Sequence, residues 1–124
     1  MVKATHTVEL PPGMTLLNSN HRVHHYRRAR IVKALRNAAK EAAAGLPALD
    51  GCGPVRIIAV LHPHDRRRRD PANWYPSVKA AVDGLVDAGV LTDDDHTRVI
   101  GPDMRLGDVV CGTQLVLHLH PLAA

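Results

Sequence analysis

The run Val55-Arg56-Ile57-Ile58-Ala59-Val60-Leu61 constrains this chain more than any other segment. β-branched side chains crowd a helix and fit a pleated sheet, so the run predicts a mostly buried strand. Such a strand needs neighbours along its edges and a layer over its face. That layer has to be aliphatic, because the 124 residues include no Phe, one Trp and two Tyr. On length the chain is one domain, residues 1–124, with enough sequence to bury a core without disulfide or metal staples.

The flanking segments supply the rest of the layers. Residues Thr5 to Leu10 alternate weakly and read as a strand closed by Pro11-Pro12-Gly13. A helix is expected from about Arg28 to Ala44, with Ile31, Leu35, Ala38, Ala42 and Leu46 on one stripe. Lys33, Arg36 and Lys40 lie opposite, as a solvated face or as a flank for a nucleic-acid backbone. Gly45 and Pro47 stop this helix. A second helix begins near Pro76, buries Val78, Val82 and Leu85, and closes at Gly89. Strands follow at about Thr97 to Ile100 and Gln114 to His120. The order β-α-β-α-β-β predicts an α+β fold: a mixed β-sheet packed with two main helices.

Composition narrows the setting. A net charge of +4, counting the nine His as neutral, favours an anionic partner such as nucleic acid. Cys52 and Cys111 match no metal-ligand spacing and read as reduced thiols. No apolar run approaches the ~20 residues of a membrane span, and no signal-peptide pattern opens the chain. A cytoplasmic protein with no membrane partner is expected. The pairs His24-His25, His62/His64 and His118/His120 have neither the cysteine partners nor the His-Glu-x-x-His pattern of a zinc site.

The chemistry concentrates after the central strand. Arg66, Arg67, Arg68 and Arg69 precede Asp70, and Asn73, Lys79, Asp83 and the triplet Asp93-Asp94-Asp95 follow. Guanidinium groups bind phosphate, and clustered carboxylates bind hard divalent cations. Together they suit metal-dependent hydrolysis of a phosphodiester. Taken singly, each has a plainer meaning. The arginines suit a solvated loop or an unspecific nucleic-acid patch. The triplet suits an acidic turn, and Lys79 with Asp83 suits a helix-surface ion pair. Trp74 and Tyr75 suit either packing or stacking on an unpaired base.

The segment from Arg67 to Val99 resembles the RusA family of Holliday junction resolvases. The likeness rests on Asp70-x-x-Asn73 beside arginines, Lys79, Asp83, Ala88-Gly89-Val90 and Asp93-Asp94. It implies a Mg2+-dependent crossover junction endodeoxyribonuclease, with Mn2+ as the other candidate cation and no small-molecule cofactor. It further implies a homodimer on four-way DNA junctions, of the kind often encoded by phages or prophages. By position, Asp70 and Asp94 become the metal-binding aspartates, with Asp93 as the register-shifted alternative. Lys79 becomes the lysine needed for cleavage, and Asn73 and Asp83 support the site. Arg66 to Arg69 would grip flanking phosphates. Two features depart from the family pattern: Ala72 stands where an aspartate is usual, and the step from Asn73 to Lys79 is longer. The loss of a carboxylate leaves open a second reading, a branched-DNA-binding module of the same fold that does not cut. A third is a basic interaction domain with no preference for junctions.

Overall fold

The central strand is where the aliphatic run predicts it. The computed structural model describes residues 5–122. Strand β2 (Val55–His62) lies inside a four-stranded sheet of order β1-β4-β2-β3. It runs antiparallel to β4 (Gln114–Pro121) and parallel to β3 (Val99–Leu106), while β1 (His6–Glu9) adds to the outer side of β4. Burial alternates along β2. Val55, Ile57, Ala59 and Leu61 are closed off, and the residues between them are exposed or half-buried. The sheet is therefore covered on one face.

Two helices form that cover, completing the expected α+β architecture: α1 (His25–Ala42) and α2 (Tyr75–Asp87). Leu35 and Ala39 of α1 join Val78, Ala81, Val82 and Leu85 of α2 over Val8, Ile57, Leu117 and Leu119. Each fully buried Val or Leu contributes about 1.5–3 kcal/mol. No aromatic ring enters this core, in keeping with the composition.

The boundaries shift for identifiable reasons. Helix α1 starts at His25 rather than Arg28, because the His24 ring accepts a hydrogen bond from the Tyr26 amide and caps it. The buried row on α1 steps from Leu35 to Ala39 and then Ala43, leaving Ala42 exposed. That row is the i+4 ridge that meets α2. At the end of α2, Gly89 takes a φ of +78° and the Val90 amide donates back to the Leu85 carbonyl, as a glycine closure requires.

Strand β3 extends six residues beyond Ile100, to Leu106. Gly101-Pro102, just past the expected end of this strand, lies in a bulge: Arg56 pairs with Ile100 and Ile58 with Asp103. Proline is tolerated because β3 is an edge strand with no outer partner to donate to. Among the described residues, Cys52 and Cys111 are free and exposed, and no helix is long and apolar enough to cross a membrane.

The helices approach each other closely at Gly84. A Cβ there would overlap the Arg36 carbonyl oxygen and lie 2.9 Å from the Ala39 methyl group. Arg36 also forks onto Asp87 across the same contact, with Nη2 at 2.8 Å from Oδ1. Gly84→Ala is expected to lower stability in urea unfolding by about 1–3 kcal/mol, against a helix-propensity gain of about 1. A neutral or stabilising result would mean that the helices separate without cost.

Candidate functional site

Beyond β2 the chain enters the arginine loop, whose shape depends on Asp65. Its carboxylate accepts from Arg67 Nε at 3.0 Å and Nη2 at 2.9 Å, from the Arg67 amide at 3.0 Å, and from Arg69 Nη2 at 2.7 Å. Arg67, and after it Arg69, hold the Asp65 carboxyl well below the usual carboxylate range. Arg69 also donates to the carbonyls of Asp65 and Arg67, and its side chain is only 14% exposed. The four arginines therefore divide. Arg67 and Arg69 brace the loop, while Arg66 and Arg68 are exposed and make no hydrogen bond or ion pair among the described residues.

Asp70 follows as the cap of a short 3-10 turn, Pro71–Trp74, its carboxylate accepting from the Ala72 amide at 3.1 Å. This turn runs straight into α2. The loop before α1 is tied to it twice. The Ser19 amide donates to the Asn73 carbonyl at 2.7 Å. Buried Ser77 Oγ accepts from the Leu17 amide at 2.6 Å and donates to the Leu17 carbonyl at 2.9 Å. Between the two loops lies a concavity of about 410 Å³, lined in part by Asn18, His21, Arg68, Asp70, Asn73 and Trp74.

One turn into α2, Lys79 Nζ donates to Asp83 Oδ1 at 2.8 Å and to Asp94 Oδ2. The acidic turn that brings Asp94 here is itself pinned. Asp93 accepts from the Asp94 amide at 2.7 Å, and Asp95 accepts from the Thr97 amide at 2.8 Å. Buried Asp50 accepts from the Thr92 amide at 2.7 Å and from its hydroxyl at 3.1 Å. Lys79 and Asp94 line a cleft of about 40 Å³ together with Tyr75 and Val82 of α2 and with Val99, Gly101 and Pro102 at the β3 bulge.

The expected site residues thus fall into two groups, one at the 3-10 turn and one on α2 and the acidic turn, which adjoin at Trp74 and Tyr75. Asp70 and Asn73 share the arginine-lined concavity, whereas Lys79, Asp83 and Asp94 form an ion cluster with Asp93 beside it. Their oxygens are the hard donors that Mg2+ takes, so the donor set fits that ion in kind. Among the described residues no three His, Cys, Asp or Glu side chains converge as a ready metal cage, and the ammonium of Lys79 lies between Asp83 and Asp94. No protein-family model matches the chain, and no curated protein is significantly similar to it.

Three residues that shape the site are easily passed over in sequence. Asp65 looks like one more charge in a charged run, and only the turn of the loop brings it onto Arg67 and Arg69. Ser77 and Asp50 are the two buried polar residues of the described chain, and both fasten loops that border the site. Nothing in a single sequence distinguishes them from surface Ser and Asp.

The cluster's pH dependence follows from its two shifts. Lys79 lowers the Asp94 pKa, so the contribution of Asp94 is present above about 4 and lost as pH falls through the folded value. Asp83, then Asp94, raise the Lys79 pKa, so its contribution is present below about 10.4 and lost only as pH rises through the raised value. With side chains 46% and 30% exposed, the Lys79–Asp94 pair should contribute less than about 1 kcal/mol. Asp94→Asn is expected to lower the unfolding midpoint slightly at pH 7, with the difference shrinking towards pH 3. A difference that stays constant across that range would remove the pair from the stability account.

Proposed function

We propose that this protein is a Mg2+-dependent endodeoxyribonuclease that resolves branched DNA, acting on four-way junctions in the manner of the RusA family that its sequence resembles. The observation that carries the proposal is the placement of Asp70 in an arginine-lined concavity at the 3-10 turn, with Lys79, on the helix that this turn leads into, paired with Asp94. Guanidinium groups and carboxylates thus line adjoining clefts, a combination suited to metal-dependent hydrolysis of a phosphodiester.

In this reading Asp70 and Asp94, supported by Asp93, Asp83 and Asn73, would hold one or two cations. Mg2+, or Mn2+ in its place, would neutralise phosphate charge and make an attacking water more acidic. Lys79 has a defined part. Held between Asp83 and Asp94, its ammonium would stabilise charge that builds on the phosphate. Arg66 and Arg68, without ion-pair partners among the described residues, grip flanking phosphates, while Arg67 and Arg69 keep the loop in shape. A homodimer would offer two equivalent sites to the two strands of a two-fold junction. The protein would act in the cytoplasm, without a small-molecule cofactor or a membrane partner.

Two observations favour a second reading, a branched-DNA-binding module that does not cut. Residue 72 is alanine, and Lys79 already pairs with both Asp83 and Asp94. The readings separate on a synthetic four-way junction with Mg2+ or EDTA, beside matched duplex. The nuclease gives paired symmetrical nicks with Mg2+ alone, and Asp70→Asn is expected to slow cutting by at least about 100-fold while retaining binding. Wild-type cutting by Asp70→Asn would refute the assignment of Asp70. Tight junction binding with no cutting under any divalent cation would establish the binding module.

The division of the arginines gives an independent check. Replacing Arg66 and Arg68 together with Ala should flatten the slope of log affinity against log salt by about 0.9 for each phosphate they neutralise. If the slope is unchanged, these two side chains do not touch the backbone.

A further inference from the structure

The concavity between the two loops has features that phosphate contact alone does not use. One wall is Trp74, whose ring lies at 86° to that of His21 with the centroids 6.3 Å apart. Around it are the amides of Asn18 and Asn73 and the guanidinium of Arg68. Asn18 Oδ1 is taken by the Asn20 amide at 2.8 Å, which leaves the side-chain N–H groups of Asn18 for a ligand. The volume of about 410 Å³ falls in the range of small-molecule pockets. An apolar ring with a few convergent polar groups and one phosphate-binding cation is the composition that a nucleotide needs.

The pocket is also formed in advance. Ser19 is bonded to Asn73, Leu17 to Ser77, and Arg67 and Arg69 to Asp65, so both loops and the turn beneath them are braced before a ligand arrives. Little ordering then opposes binding. Trp74 lies half-buried in a recess and cannot reach a base whose faces are covered by its neighbours in a duplex. A branch point interrupts the continuous stack, so a base there is drawn out at lower cost than one inside a duplex.

We infer that this concavity holds one unstacked nucleotide of the substrate strand, with its base against Trp74, its edge at Asn18 and Asn73, and its phosphate on Arg68. The inference rests on the branched-DNA reading and adds to it the structural element that is recognised. Preference for branches then originates on the protein in a pocket for a base, besides the shape of the junction as a whole.

Trp74 is the single Trp of the chain, so its emission reports on this pocket alone. The experiment titrates the wild-type protein, in EDTA to prevent cutting, with a single-stranded oligonucleotide, a four-way junction, a blunt duplex and a free mononucleotide. Saturable quenching by the single strand and the junction, with no change for the duplex, is expected. By anisotropy of the labelled strand, Trp74→Ala should weaken binding roughly 5- to 150-fold, with Trp74→Phe recovering most of the affinity. Equal quenching by the duplex, or binding of the free mononucleotide as tight as that of the strand, would overturn the inference. Junction binding seen by anisotropy without any change in Trp74 emission would also overturn it, leaving the nuclease proposal standing. Failure to bind any of the DNAs would remove both.

Discussion

The contact between α1 and α2 at Gly84 is the constraint on which the rest of the molecule depends. With no Phe in the chain, the core is thin, and the helices have to come close to each other and to the sheet to exclude water. Gly84 lets the Arg36 carbonyl sit where a side chain would otherwise stand. Helix α2 is then buried along Ser77, Val78, Ala81, Val82 and Leu85, which leaves Lys79 and Asp83 on its outer side. Seven buried residues in a helix of thirteen hold it firmly enough for its exposed face to be a precise surface. The 3-10 turn ahead of it inherits that position, and so do Asp70 and Trp74.

Charge is used in two distinct ways around this helix. Some ion pairs are internal fasteners: Arg36 with Asp87 across the helices, Arg56 with Asp103 across the sheet, and Asp65 with Arg67 and Arg69 in the loop. Exposed pairs of this kind add little stability, but they determine which side chains remain free. What the net charge of +4 offers a partner is the remainder, which near the site is Arg66 and Arg68. A run of four arginines is thus half scaffold and half binding surface.

The elements legible in sequence are those governed by local rules. The aliphatic run at Val55 to Leu61, the proline at the start of α2 and Gly89 at its end each carry their meaning within a few residues. Strand β3 outruns its sequence signal because Gly101-Pro102 is a breaker by local rules, and only its edge position permits the bulge. The candidate residues are legible as types, and their distribution in space is not. Chain order places Asp70, Lys79 and Asp94 in one motif, yet only the packing of the 93–95 turn brings Asp94 to Lys79 rather than to Asp70. The pairing of Asp65 with alternate arginines depends in the same way on the turn of a loop, which a single sequence does not encode by pattern.

The bulge in β3 has a further consequence, for the way this molecule can meet a copy of itself. A sheet grows when the unpaired backbone groups of an edge strand accept another strand. Here one edge carries Pro102 within an irregular ladder, and the other is β1, a strand of four residues. Both edges are therefore poor templates, which guards the monomer against uncontrolled stacking. An ordered assembly of two chains would be built through faces, helices or loops, leaving each hydrogen-bonded ladder closed within its own subunit.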